Sequence, residues 1–77
     1  MEHLVIITPK EGAFVDYLLR FPHVYKFNTA SATYAYFIYI GPLSPKQQVL
    51  KILSIYNFKE FSLDKETNFY RFKVHVE

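Results

Sequence analysis

The chain has 77 residues, with 8 Phe, 7 Tyr, no cysteine and a net charge of +2. These figures exclude disulfides, thiolate metal sites and a polybasic nucleic-acid tail, and they place the chain near the lower size limit for one unstapled domain. No apolar run reaches the length of a membrane span and the first residues form no signal-peptide pattern, so one α+β domain over residues 1–77 in the cytoplasm is expected.

His3 to Ile7 is a nearly continuous apolar run, which predicts a strand buried on both faces and therefore central. Thr8-Pro9-Lys10-Glu11 reads as a helix start: a capping hydroxyl, a proline at the first helical position and a capping-box glutamate. The helix is expected over Lys10–Arg20, with Phe14, Tyr17, Leu18 and Phe21 inward and Asp16 and Arg20 outward. Pro22 ends it. His23–Phe27 reads as a second strand, with Tyr25 and Phe27 on one face and Val24 and Lys26 on the other. Asn28–Ala32 is small and polar, as a hairpin turn requires.

Thr33–Ile40 is the stretch around which the rest is arranged. Tyr34, Tyr36, Ile38 and Ile40 share one face and Thr33, Ala35, Phe37 and Tyr39 the other, and both faces are apolar or aromatic. One face must pack on helices, while the other needs a partner. Gly41-Pro42-Leu43 breaks the sheet. Ser44-Pro45-Lys46-Gln47 repeats the first helix start and opens a helix over Pro45–Tyr56, with Val49, Leu50, Ile52, Leu53 and Tyr56 inward. Phe58–Leu63 predicts a short strand, Asp64–Asn68 a polar turn, and Phe69–Val76 an alternating last strand. In that strand Tyr70, Phe72, Val74 and Val76 face the core. A shift of 36 positions lays Pro9–Ile40 on Pro45–Val76 (45 − 9 = 36). This supports a repeated helix–hairpin arrangement and puts Tyr34 and Tyr36 in phase with Tyr70 and Phe72.

The order βαββαββ predicts two helices on one face of a mainly antiparallel sheet. That is a two-layer, ferredoxin-like sandwich with one added strand.

Ala32-Thr33-Tyr34-Ala35-Tyr36-Phe37-Ile38-Tyr39 resembles the longer consensus of RNA-recognition-motif domains: basic, Gly, aromatic, Gly/Ala, aromatic, aliphatic, any, aromatic. The resemblance implies that Tyr34 and Tyr36 stack single-stranded RNA on the open sheet face. Ala32 stands where that family has a basic residue, Thr33 where it has glycine and Phe37 where it has an aliphatic. No aromatic lies near Val5 in the first strand. This phase turns Tyr34 and Tyr36 outward, against the repeat. With the opposite phase, Phe37 and Tyr39 are the exposed pair.

Phe69, Arg71, Lys73 and His75 share the outward face of the last strand, and Lys26 of the second strand is read with them. Aromatics interleaved with cations can hold single-stranded nucleic acid, although solvated strand faces are charged as a rule. His3, His23 and His75 lack ligand spacing, the carboxylates lack catalytic spacing, and the chain's only glycines, Gly12 and Gly41, build no phosphate loop. No enzyme activity, metal or cofactor is expected. The wealth of Phe, Tyr, Ile, Lys and Asn resembles the composition of small phage and archaeal virus proteins, which implies the host cytoplasm. Two functions follow. One is a regulator or inhibitor that binds another protein, or itself as a homodimer, through an aromatic sheet face. The other is a single-stranded RNA-binding module. No membrane partner is expected.

Overall fold

The computed structural model describes residues 2–27, 30–55 and 60–75. The elements are β1 (His3–Pro9), α1 (Ala13–Leu19), β2 (Val24–Phe27), β3 (Tyr34–Tyr39), α2 (Pro45–Ile55), β4 (Phe61–Glu66) and β5 (Phe69–Val74). Tyr56, Phe58, Val76 and the Asn28–Thr29 part of the expected hairpin turn lie outside the described residues.

The apolar run at the start of the chain becomes the middle of a five-stranded sheet, ordered β2-β3-β1-β5-β4. β1 is antiparallel to β3 and parallel to β5, and the outer pairings, β2 with β3 and β4 with β5, are antiparallel. The sheet is therefore mixed. In a ferredoxin-like sheet the strand after α2 lies against β1. Here that strand, β4, is displaced to the edge, and β5 folds back between it and β1.

Leu4 and Ile6 of β1, Val24 of β2, Ala35, Phe37 and Tyr39 of β3, and Tyr70, Phe72 and Val74 of β5 all point to one side. There they join Phe14, Val15 and Leu18 of α1 and Val49 and Ile52 of α2 in a single core. Both helices thus cover the same sheet face.

The two similar helix starts have different fates. At α2 the capping box forms: Ser44 N–H donates to Gln47 Oε1 at 3.1 Å, and Gln47 N–H donates to Ser44 Oγ at 3.3 Å. At the first site the strand wins. Thr8 is buried opposite Ala35, Lys10 N–H donates to Thr33 O at 2.9 Å, and α1 begins only after Gly12, with no side-chain cap. Thr8 is β-branched and gains a ladder position. Pro9 lies beyond the end of the β5 pairing, so its missing N–H takes no bond from the sheet.

In α2 the buried positions are Pro45, Gln48, Val49 and Ile52, an i, i+3, i+4, i+7 stripe. Leu50, expected inside, is exposed, because it lies a quarter-turn off that stripe. β4 extends through Asp64, Lys65 and Glu66, which were expected in a turn. Their pairing with Arg71, Tyr70 and Phe69 outweighs their polar composition and shortens the turn to Thr67-Asn68, with Thr67 at φ 49°.

Lys65 Nζ reaches across β5 to Glu2 Oε2 at 2.9 Å. This hydrogen bond is the main reason that the Glu2 carboxyl is held below the usual carboxylate range. A depressed carboxyl contributes stability that is present above its unfolded value and lost as pH falls through the folded one. Glu2→Gln is expected to lower the melting temperature slightly near about pH 7 and to have no effect near about pH 2, because the pair is solvent-exposed. Thermal melts of both proteins at the two pH values check it.

Candidate binding face

The face away from the helices is built row by row across the sheet. One row reads Tyr25, Ile38, Val5, Arg71, Asp64 from β2 to β4, and the next reads Phe27, Tyr36, Ile7, Lys73, Ser62. Tyr34 opposite Pro9, and His3 opposite Phe69 beside Glu66, complete the face at its two ends. The β2–β3–β1 half is thus aromatic and aliphatic, and the β5–β4 half carries the charges. Phe27 and Tyr36 rings lie 5.8 Å apart, and His3 and Phe69 rings 5.6 Å apart.

The charges on this face are already engaged. Arg71 Nη2 donates to Glu66 Oε1 at 2.6 Å, and Asp64 stands directly opposite Arg71. Lys73 Nζ lies 4.6 Å from the centre of the Tyr34 ring, a cation–π contact that covers one ring face. Arg71 and Lys73 are balanced on the same face by Asp64 and Glu66.

Of the residues singled out in the sequence, Tyr34, Tyr36, Phe69, Arg71 and Lys73 come together here. His75, exposed, follows β5 in the same alternation. Phe37 and Tyr39 do not belong: both are in the core, at 0% and 5% exposure. The hydroxyls explain this choice of phase. Tyr34, Tyr36 and Ile38 would bury two phenols, whereas Ala35, Phe37 and Tyr39 bury one, and Tyr39 Oη accepts a hydrogen bond from Leu43 N–H at 3.0 Å. Lys26 is also on the other side. It is opposite Phe37 on β2, an edge strand, and stays exposed there without reaching the open face.

The 36-residue repeat fails for the same reason. Tyr70 and Phe72 face the helices while Tyr34 and Tyr36 face away, and β3 and β5 run in opposite directions. Periodic amphipathic patterns align without sharing a phase.

The sequence reading did not single out Tyr25, Phe27 and Ile38 as site residues. Tyr25 is 56% exposed and Phe27 39%. The signal was their alternation with Val24, which becomes readable once β3 supplies the phase.

A cleft of about 370 Å³ beside Glu2, His3 and the Gly41–Pro45 loop opens at the end of the sheet. Among the described residues no three His, Asp or Glu side chains gather as a metal site, and no helix is long and apolar enough to cross a membrane. Compared with family models, curated proteins and solved structures, the chain matches none.

Proposed function

We propose that this is a non-catalytic binding protein whose open sheet face takes another protein, as a regulator or inhibitor of the viral or phage type. The observation that carries this reading is the internal neutralisation of the face. Arg71 is held by Glu66 and faced by Asp64, beside a contiguous strip of Tyr25, Phe27, Tyr36 and Ile38. Protein-binding surfaces combine such aromatic anchors with locally paired charge. Phosphate tracking needs cations that are free to displace counterions.

The second reading is a ferredoxin-like, RNA-recognition-motif module in which Tyr34 and Tyr36 stack single-stranded RNA in the cytoplasm. It is favoured by the outward placement of those two rings and by β3 lying antiparallel between β1 and β2, which run parallel to each other. Against it, Lys73 occupies a face of the Tyr34 ring.

Filter binding of a mixed single-stranded RNA pool at low and high salt separates the two readings. The protein-binding reading predicts no saturable RNA binding in the low-salt arm. Saturable binding that falls with salt, weakens in Arg71→Ala/Lys73→Ala, and loses about 1–3 kcal/mol in Tyr36→Ala but little in Tyr36→Phe would overturn it.

A further inference from the structure

We infer that two copies of this chain join edge to edge along β2, in antiparallel register with Tyr25 on the two-fold axis, and merge their five-stranded sheets into one of ten. The contact is made through the backbone edge of β2 and shares Tyr25 with the open face.

Among the described residues β2 and β4 each have one edge without a partner strand, and the two edges are not alike. β4 ends in three consecutive charged residues, Asp64-Lys65-Glu66, the usual protection of an edge. β2 has one charge, Lys26, between exposed Tyr25 and Phe27. His23, at φ 65°, bends the chain just before β2, so the usable edge begins at Val24.

Backbone phase decides which residues can reach a neighbour. Ile40 N–H donates to His23 O at 2.8 Å, and hydrogen-bonded pairs alternate along an antiparallel ladder. Tyr25 and Phe27 therefore bond to β3, and Val24 and Lys26 direct their N–H and C=O groups to the free edge. Val24 N–H already contacts Phe21 O at 3.4 Å. The bonds open to a partner strand are thus Lys26 N–H to Val24 O, made twice by symmetry.

Side chains on one face must meet across a sheet, so only two symmetric registers fit within β2. One sets Lys26 against Lys26 of the second copy, and like charges directly opposite are destabilising. The other sets Tyr25 against Tyr25 and Lys26 against Val24, which separates the lysines and pairs two aromatic rings. The second register is the one assigned. A four-residue seam is small beside the roughly 1,200–2,000 Å² of a stable interface, so the dimer is a weak, concentration-dependent one.

The absence of cysteine allows a direct test. In the assigned register position 25 is a non-hydrogen-bonded pair with Cα atoms about 4.5 Å apart, within disulfide reach. The two Lys26 Cα atoms are about 8 Å apart, and the two Tyr36 Cα atoms about 20 Å, from strand rise and spacing. Tyr25→Cys, Lys26→Cys, Tyr36→Cys and, on the other edge, Asp64→Cys are oxidised mildly in the full chain and run on non-reducing gels. Tyr25→Cys is expected to form the disulfide dimer at least tenfold faster than the other three. Faster dimerisation of Lys26→Cys overturns the register, of Tyr36→Cys points to face-to-face packing, and of Asp64→Cys to the wrong edge. Equal rates in all four overturn the interface. Sedimentation of the unmodified chain is the second measurement, and a monomer at all concentrations up to about 1 mM overturns the dimer itself. Neither result bears on RNA binding, so failure here leaves the open-face reading standing.

Discussion

Phe37→Ala is expected to leave little folded protein at 25 °C, while Tyr36→Ala, one residue away, leaves the fold nearly intact. Phe37 has no exposed surface, lies opposite Ile6 in the middle of the sheet and is among the largest fully buried side chains. Truncating a buried phenylalanine costs about 3–5 kcal/mol, as lost transfer free energy plus the cavity left behind. A chain of this length has roughly 4–11 kcal/mol of total stability, scaled per residue, so a single such loss takes a large part of it. Tyr36 is on the open face, where truncation removes only partial burial and one ring contact with Phe27, and the expected loss is about 1 kcal/mol. Urea unfolding followed by circular dichroism measures both. A larger loss at Tyr36 than at Phe37 would mean that the sheet is turned over and that the proposed face is the core. The result also bears on interpretation: a Phe37 variant would abolish any activity by unfolding, so it says nothing about contact with a partner.

Gly41→Ala is expected to destabilise the fold by about 2–4 kcal/mol, combining overpacking with an orphaned hydrogen bond. A Cβ at Gly41 would collide with Tyr39 Oη and stand 2.6 Å from Cζ. The Tyr39 ring is buried, at 5% exposure. Its displacement would break the bond that Leu43 N–H donates to Oη, the contact that closes the loop into α2. Tyr39→Phe removes the hydroxyl and with it the closest clash, so the two substitutions together should cost less than their sum. A thermodynamic cycle over the four proteins reads this coupling. Full additivity would show that Gly41 and Tyr39 do not meet.

The parts of the fold that could be read from the sequence are those in which one pattern had a single solution. Leu4 to Ile7 could only be a central strand, and Ser44 with Gln47 after Gly41-Pro42 could only be a helix start. The misreadings came where two local rules competed. Thr8-Pro9-Lys10-Glu11 has the letters of a cap, but those positions lie within reach of β3, and ladder pairing outweighed the cap. Asp64-Lys65-Glu66 has the letters of a turn and was drawn into β4 by its neighbours on β5. Gln48 is buried in α2 with its Nε2 unpartnered among the described residues, while the apolar Leu50 is exposed. Only the rotation of the helix on the sheet decides that exchange.

For the candidate face, the sequence showed that Thr33–Ile40 has two apolar sides but could not say which was inside. That choice rests on Tyr39 finding Leu43 N–H, a contact across a loop that no periodicity encodes. The charge pairing of Arg71 with Glu66 depended equally on a strand boundary that was read as a turn.

The parallel contact of β1 with β5 has a consequence for how the chain folds. His3 and Phe69 are register partners, so the seam at the middle of the sheet joins segments 66 residues apart (69 − 3 = 66). Closure of so long a loop must precede the contacts that reward it, which slows folding relative to a helical domain of the same size. During synthesis the β1, β2 and β3 strands can assemble first, but one flank of β1 stays unpaired until β5 has left the ribosome. In that interval the backbone groups of Val5 and Ile7 that later pair with β5 form a bare strand edge in an apolar segment, and nascent chains on the same message are exposed to one another through it.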